Sequence, residues 1–472
     1  MLIHRRGIVA CFFAIWITAL TVTLIDVIFG RSGIFFSFFI SIFVFALIFN
    51  RIRLVDFFSY AAAVSFIPII VAILQTSYSS TMLMVGLKEI GILVIFTLLL
   101  IKSSFVIKIN SLDVCMLLFL SAWGVSFISS DFDIYSRLIA SKDSLLIVIL
   151  YFTGRFFDDT NINVSDISNR YVFISLFLIV TNLFIYVFDD IIWSIINITD
   201  YFRTRFSGAY FLVNLDNDLP PDFYTFFNGE RYSRFVGSLL NAPGFSRFLV
   251  FFVVLGICQR FKNLSFHGDK KYSTLIILLL LILTQLLTVG RAGILISISS
   301  LFVIITLQKR YRYLGLFGMI FLAFSLMLFA SFDVDNFFRH LVGLQAGFSN
   351  ITMFGHGMGS GGQQIANYAS ETASSIEVRE SFLGAWVFQT GYYGLFTYIT
   401  LVVCLVVYLF RLKINKIHQE SRAIYISSLL CVLFAFLSSI FANSAMSFYS
   451  LMLPLIFLGA TLGCYKNVKE LY

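Results

Sequence analysis

Three arginines, Arg231, Arg234 and Arg247, lie within the stretch Glu230–Phe248 of an otherwise very apolar chain. A guanidinium group offers a planar fork of N–H donors that fits a phosphate or carboxylate in two-point contact. On a helix Arg231 and Arg234 would share one face because they are three residues apart. Arg247 would lie in the first turn of the next helix, where the helix dipole also favours an anion. We therefore predict an anion site; the alternative is that these arginines pair with lipid headgroups or with Glu230.

A fourth arginine, Arg291, lies in the segment Thr288–Gly293 between two apolar runs that leave almost no room for a loop. Gly290 and Gly293 permit close approach of a helix or a substrate. The segment predicts that Arg291 is held at the membrane edge with little freedom. The alternative is a tight turn with one snorkelling arginine.

Three residues are candidates for a general base: Glu380, His340 and His356. Partial desolvation at a membrane surface would raise the pKa of the Glu380 carboxyl, which favours proton transfer near neutral pH. Histidine titrates near neutrality without such help. The alternatives are an ion pair between Glu380 and Arg379, and histidines that take no part in the chemistry.

Other polar patterns carry less information. The glycine-rich run Gly355–Gly362 lacks the lysine of a phosphate-binding P-loop, so we expect a mobile hinge or lid. The D-x-D spacing can bind Mg²⁺, but loops are rich in aspartate by default. This spacing occurs at Asp131/Asp133, Asp216/Asp218 and Asp333/Asp335. We expect neither a metal nor another cofactor.

Composition determines which elements can position these residues. The chain has 472 residues, of which 59% are hydrophobic and only 12% charged, against about 25% charged in soluble domains. Its apolar runs are near 20 residues long and do not alternate as barrel strands do. Only helices satisfy the backbone in such runs. We predict an all-α, polytopic transmembrane bundle that forms a single domain, residues 1–472, with about 14 spans. The predicted spans are residues 7–29, 34–50, 55–75, 83–101, 112–129, 140–156, 171–189, 244–260, 273–289, 292–308, 314–331, 384–410, 423–441 and 447–464.

The basic residues indicate topology. The net charge is +8, but lysine and arginine between spans normally mark cytoplasmic loops, so we expect no nucleic-acid partner. With both termini in the cytoplasm, 21 of the 33 basic residues lie inside, and ten of the other 12 are arginine. An excess of arginine on the outer side suggests a function beyond topology.

Two outer segments, 190–243 and 332–383, are too long to be simple connections. The first is rich in tyrosine and phenylalanine, which usually lie in the membrane interface. We expect this first loop to fold against the membrane and to be partly helical.

The order of these motifs resembles a known family. R-x-x-G…P at Arg234–Pro243 begins a span, G-R-A-G follows at Gly290–Gly293, and a long outer loop with G-x-G leads to E-S-F…G-Y-Y-G at Glu380–Gly394. Over roughly residues 230–395 the chain resembles the Wzy O-antigen polymerase and O-antigen ligase superfamily of the bacterial inner membrane.

The resemblance implies a metal-independent, GT-C-like glycosyltransferase that acts at the periplasmic face. In that family the donor glycan is carried on undecaprenyl diphosphate. A polymerase transfers it to another lipid-linked repeat unit, whereas a ligase transfers it to the lipid A core. The ligase subgroup typically has a histidine-asparagine pair where this chain has Glu380 and Ser381, which favours polymerase. The implied partners are the undecaprenyl-diphosphate-linked oligosaccharide, membrane lipids and a chain-length regulator protein.

The residue chemistry and the resemblance lead to the same roles. Negative charge grows on the departing diphosphate as its bond to the sugar breaks, and preorganised cations would stabilise it. The cations expected in this role are Arg234, Arg247 and Arg291, with Arg231 and Arg379 as secondary contacts. The expected base is Glu380, with His340 and His356 as competing candidates.

A lipid-linked oligosaccharide flippase or another transporter is the alternative from a different class. Lys88 and Glu89, near the start of a predicted span, favour it. Against it, the chain shows no internal repeat, and most of its other outer ionisable groups lie in two loops.

Overall fold

The protein is largely helical. The computed structural model describes residues 2–29, 34–50, 52–74, 83–103, 109–157, 164–196, 198–205, 223–227, 230–260, 271–308, 311–320, 334–349, 351–361, 381–411 and 419–463. The helices are α1 (Leu2–Phe29), α2 (Ile34–Phe49), α3 (Asp56–Ser65), α4 (Ile67–Leu74), α5 (Leu87–Lys102), α6 (Ser111–Ile128), α7 (Ile134–Arg155), α8 (Val164–Val187), α9 (Asp189–Ile196), α10 (Ile198–Arg205), α11 (Ala242–Arg260), α12 (Lys271–Leu287), α13 (Arg291–Leu307), α14 (Val334–Ser349), α15 (Phe382–Arg411), α16 (Gln419–Ser438) and α17 (Phe448–Gly463). Strands β1 (Tyr224–Phe227) and β2 (Glu230–Ser233) form one antiparallel hairpin.

The helices support a multi-pass membrane protein. Among the described residues, six helical segments are long and apolar enough to cross a membrane: Asp56–Leu74, Ser111–Ile128, Asp166–Val187, Ala242–Arg260, Phe382–Phe410 and Ser421–Ser438. Five further apolar helical segments are shorter: Phe13–Ile28, Phe36–Phe49, Ser273–Leu287, Arg291–Leu307 and Phe448–Gly463. These eleven segments match eleven of the predicted spans, and the predicted span 55–75 corresponds to Asp56–Leu74 with a turn at Phe66 between α3 and α4. The predicted spans 83–101 and 140–156 fall on α5 and α7, which are not among the eleven. Most of the predicted span 314–331 lies outside the described residues, so the number of about 14 spans stays a prediction.

Two glycines bring α7 and α17 into close contact. A Cβ on Gly154 of α7 would collide with the carbonyl oxygen of Ile456, and one on Gly459 of α17 would collide with the carbonyl oxygen of Tyr151. Small residues at such a contact let two helix backbones approach and pack in an apolar environment. The contact between α7 and α17 is therefore buried, and α17 is buried along most of its length.

Ion pairs tie helix ends together at one end of the bundle. Asp113, in the first turn of α6, accepts hydrogen bonds at 2.8 Å from Nε and Nη2 of Arg155 and at 2.7 Å from the hydroxyl of Tyr151. Arg170 of α8 reaches Asp56 of α3 at 3.4 Å. Buried charges of this kind are tolerated when they are paired and hydrogen-bonded. The starts of α3, α6 and α8 and the end of α7 therefore lie at the same end of the bundle. There these charged side chains pair with one another inside the protein.

The first long loop is partly helical, as predicted. It contains α9, α10 and the β1–β2 hairpin, and its aromatic rings pack on one another: Phe223 lies 5.4 Å from Trp193 and 5.9 Å from Phe202, ring centre to ring centre. Residues 206–222 lie outside the described part of the chain. Residues 230–233 form a strand, so the expectation that Arg231 and Arg234 share a helical face is wrong.

We predict that Gly154→Ala and Gly459→Ala each lower the melting temperature of the purified protein in detergent. The added methyl meets backbone atoms, which cannot move aside as a side chain can, and overpacking of this kind costs about 1–3 kcal/mol. The matched control is Gly124→Ala in α6, where a Cβ would meet nothing within 4 Å. That change should be neutral or stabilising by about 0.5–1 kcal/mol. Equal melting temperatures for all three variants would contradict the proposed contact.

Candidate functional site

Arg234 joins the hairpin to the turn between α12 and α13. Its backbone N–H donates to the carbonyl of Phe223 at 2.8 Å, directly after strand β2. Its guanidinium donates from Nε to the carbonyl of Thr288 at 3.2 Å and from Nη2 to the carbonyl of Val289 at 3.3 Å. The side chain is therefore aimed along the α12–α13 turn, toward the segment that contains Arg291.

The turn itself is tight and strained. Only Thr288, Val289 and Gly290 separate α12 from α13, and Val289 has a φ of 50°, which is uncommon for a β-branched residue. The hydroxyl of Thr288 accepts the N–H of Gly290 at 3.0 Å and donates to the carbonyl of Gln285 at 2.6 Å. These bonds fix the turn, and the prediction that the two apolar spans meet with almost no loop is confirmed. The position of Arg291 at the outer membrane edge stays a prediction.

The start of α11 packs directly against this turn. A Cβ on Gly290 or Gly293 would collide with the side chain of Ser246. The hydroxyl of Ser246 donates to the carbonyl of Gly290 at 3.0 Å, and Gln285 donates from Nε2 to the carbonyl of Ser246 at 3.1 Å. The predicted role of the two glycines in close approach is confirmed, and the partner is α11. Arg247 is the next residue of α11, and its side chain is buried.

The arginines differ in exposure. Arg247 is buried in the first turns of α11, whereas Arg291 is exposed at the first position of α13 and Arg234 is partly exposed. Gly290 supplies no side-chain cap to α13, so the first N–H groups of that helix are not capped by a side chain. Cations together with an uncapped helix N-terminus favour an anion such as phosphate. We call Arg234, Arg247 and Arg291 the arginine cluster, and the end of the bundle that holds it the arginine end.

The glycine-rich run is fixed in place by a break in α15. Gly391 has φ 68° and ψ −157°, which interrupts the helix. On one side of the break, the N–H groups of Tyr392 and Tyr393 donate to the carbonyls of Thr352 and Met353 at 3.0 and 3.1 Å.

On the other side of the break, the carbonyls of Phe388 and Gln389 accept the N–H groups of His356 and Gly357 at 2.9 and 3.1 Å. The backbone carbonyl of Ser126, in α6, accepts the N–H of Met358 at 3.1 Å. Backbone hydrogen bonds thus hold residues 356–358 to α6 and α15, which argues against the predicted mobile hinge at these residues.

The remaining predicted residues are placed as follows. His356 is exposed, with its ring 4.5 Å from that of Phe388. The backbone of Arg231 lies in β2 and that of His340 in α14, and both side chains lie outside the described part of the structure. Glu380 and Arg379 lie outside the described residues altogether, so the choice of base stays a prediction.

One aspartate of the D-x-D pairs has a structural role. Asp133 caps the N-terminus of α7 by accepting the N–H of Ser136 at 3.0 Å and its hydroxyl at 2.6 Å. These hydrogen bonds from Ser136 lower the pKa of the Asp133 carboxyl below its usual value. Helix capping therefore explains why an aspartate stands at position 133.

Sequence reasoning missed the polar residues that hold the arginine cluster. Ser246 and Gln285 link α11 to α12, and Ser297 of α13 donates to Oε1 of Gln285 at 3.0 Å. All three are buried. The available signal was a glutamine and small hydroxyl residues inside apolar spans, because a buried polar side chain in such a span needs a partner on a neighbouring helix.

No protein-family model and no curated protein matches this chain. The resemblance to the polymerase and ligase superfamily therefore rests on its own motifs. Two of those motifs, Arg234–Pro243 and Gly290–Gly293, come together at the arginine cluster.

We predict that Gly290→Ala lowers the thermal stability by about 1–3 kcal/mol, because its methyl would overlap the Ser246 side chain. Ser246→Gly removes that overlap and should rescue part of the loss. A double-mutant cycle measured by thermal unfolding in detergent should show a favourable coupling of about 0.5–3 kcal/mol. Additive effects of the two substitutions would show that α11 does not approach the turn this closely.

Proposed function

We propose that this protein is an inner-membrane polysaccharide polymerase of the Wzy type, which transfers a glycan from undecaprenyl diphosphate onto another lipid-linked repeat unit. The observation that carries the proposal is that three arginine-bearing segments meet at the turn between α12 and α13. The guanidinium of Arg234 donates to two carbonyls of this turn, Arg291 follows the turn directly, and Arg247 follows Ser246, which contacts the turn. Cations inside apolar segments are costly and usually functional. A diphosphate leaving group is an anion whose charge such a cluster would stabilise.

The proposed reaction needs no cofactor. The bond between the sugar's anomeric carbon and the diphosphate oxygen breaks, and the electron pair leaves with the diphosphate. The acceptor hydroxyl oxygen forms the new bond to that carbon, and its proton passes to a base, for which Glu380, His340 and His356 are the candidates. The cluster stabilises the charge that develops on the leaving group, and a fixed scaffold avoids reorganisation at that moment. Arg231 and Arg379 are the proposed secondary contacts to the same diphosphate.

The proposed setting is a GT-C-like bundle of about 14 spans with both termini in the cytoplasm and the arginine end in the periplasm. The two long loops, 190–243 and 332–383, would then face the periplasm. The buried ion pair of Asp113 with Arg155 at the opposite end supports this orientation, because basic residues are expected on the cytoplasmic side. The proposed partners are the lipid-linked donor and acceptor, membrane lipids and a chain-length regulator.

An O-antigen ligase and a lipid-linked oligosaccharide flippase are the competing functions. A ligase differs only in its acceptor, the lipid A core. The products in a deletion strain separate the three: loss of a polymerase leaves one repeat unit on the core, whereas loss of a ligase or of a flippase leaves none. Loss of a flippase also strands the repeat units on the inner leaflet.

We predict that Arg234→Ala, Arg247→Ala and Arg291→Ala each reduce chain lengthening roughly 100-fold or more, because each removes a preorganised cation from the departing diphosphate. The assay is the ladder formed from synthetic lipid-diphosphate repeat units by the reconstituted protein. Arg260→Ala is the matched control, since Arg260 is exposed at the far end of the same helix as Arg247. A normal ladder from folded Arg291→Ala protein would refute the proposal.

We also predict the side of the membrane on which the arginine cluster lies. In a chain whose six native cysteines are replaced, Tyr232→Cys and Val289→Cys should react with a membrane-impermeant thiol reagent added from the periplasm, since both positions are exposed. Tyr313→Cys, at a position that is 87% exposed and predicted to be cytoplasmic, should react only after the inner membrane is opened. The reverse pattern would exclude a periplasmic active site.

A further inference from the structure

Two exposed apolar side chains lie beside the break in α15. Met353 is 61% exposed and Phe354 is 51% exposed. Both belong to the loop after α14, which is hydrogen-bonded to the N–H groups of Tyr392 and Tyr393, directly after the break. The ring of Phe354 lies 6.4 Å from that of Tyr393, centre to centre. We call Met353 and Phe354 the loop tip. These contacts fix the tip on the bundle, so its surroundings depend on the depth of the break in the membrane.

The burial of α15 changes at this break. Residues 382–391, before and at the break, are buried, apart from a partly exposed Phe388. After the break, exposed apolar side chains recur at intervals of three, four or seven residues, which places them on one face of the helix. They are Tyr392, Phe396, Ile399, Val403 and Phe410. Because α15 is long and apolar enough to cross a membrane, this uncovered face is the one that meets lipid, and it begins directly after Gly391.

The length of α15 sets the depth of the break. Its apolar segment Phe382–Phe410 has 29 residues, which corresponds to about 43 Å of helix, whereas the hydrocarbon core of a bilayer is about 30 Å thick. The 20 residues from Tyr392 to Arg411 would cross that core alone, at about 30 Å. The basic residues from Arg411 to Lys416 are predicted to be cytoplasmic. The break therefore lies at the opposite edge of the hydrocarbon core, which is the outer edge in the predicted topology.

The neighbouring helix α6 ends at the same level. The hydroxyl of Ser126, in the last turn of α6, donates to the carbonyl of Gln389 at 2.7 Å. Helix α6 ends two residues later, at Ile128, after an apolar segment of 18 residues that rises about 27 Å. Two adjacent helices of membrane-spanning length therefore reach the same edge of the membrane beside the break.

The backbone of the loop is suited to contact with lipid. A non-helical segment lies in apolar surroundings only when its polar groups are bonded within the protein. The carbonyls of Thr352 and Met353 accept hydrogen bonds from α15, and the hydroxyl of Thr352 donates to the carbonyl of Gly355 at 3.0 Å. The N–H groups of His356 and Gly357 also donate to α15. The loop can therefore border the hydrocarbon without leaving these backbone groups unsatisfied.

We infer that the loop tip inserts into the outer leaflet, where Met353 and Phe354 contact the lipid acyl chains just below the headgroups. The exposed face of α15 continues onto the tip, so the lipid that covers Tyr392 and Phe396 also covers the tip. Aromatic side chains at this level are typical of the membrane interface. Insertion holds His356, two residues further along the chain, near the lipid headgroups. This contact with the bilayer does not depend on the proposed activity.

The test measures the depth of single spin labels on the full chain in nanodiscs, after replacement of the six native cysteines. Oxygen concentrates in hydrocarbon and a charge-neutral nickel chelate stays in water, so the ratio of their collision rates with a label reports its surroundings. Labels at Met353→Cys and Phe354→Cys should each give a ratio several-fold above that of Asp131→Cys. Asp131 is the aqueous control, because it is exposed in the turn between α6 and α7. Phe396→Cys, on the exposed face of α15, is the control for hydrocarbon.

Every other pattern overturns the inference. A ratio at the loop tip equal to that of Asp131→Cys would show that the tip faces water. Low collision rates with both reagents would show that protein covers the tip, either a second copy of the chain or another partner. The two tip positions are labelled separately, and each variant is compared with the unlabelled protein by thermal unfolding, so that the collision rates are read from folded protein.

Discussion

The arrangement of the arginine end depends on one close approach, that of the first turns of α11 to the turn between α12 and α13. Ser246 occupies the space that side chains on Gly290 and Gly293 would fill. Because the backbones come this close, hydroxyl and amide side chains can bond directly to carbonyls, and the strained turn keeps one geometry. In the proposed function, arginines attached to such a frame would need little reorganisation before they bind an anion, which is the condition under which fixed charge is most effective.

A second constraint concerns backbone groups that leave the helical pattern in apolar surroundings. Such groups must find partners within the protein, because lipid offers none. At Gly391 the partners come from residues 352–357, which lie about 35 positions earlier in the chain and bond to both sides of the break. The glycine-rich run therefore completes α15, and the positive φ values of Gly355 and Gly357 serve that fit. The glycine-rich composition suggested a mobile segment, but in the structure these glycines allow a close backbone contact with α15.

The sequence predicted the helices well because each long apolar run permits little else, and the short turn at Arg291 followed from the same reasoning. It did not predict the hairpin that carries Arg231, since four-residue strands have too weak a pattern. The ion pair between Glu89 and Lys142 was also beyond sequence reasoning, because the two residues are far apart in the chain and only the packing of α5 on α7 joins them. The roles of Glu380 and His340 stay predictions, as their side chains lie outside the described residues.

The glycine contact between α7 and α17 has a consequence for biogenesis. Helix α17 is the last one described, yet it is buried along most of its length and packs against α7, a helix made some 300 residues earlier. A nascent chain would therefore hold α7 in the bilayer with its α17-binding face open until α17 has been made. Assembly would be completed late, and quality-control proteases would encounter any chain truncated before α17 as an unclosed bundle.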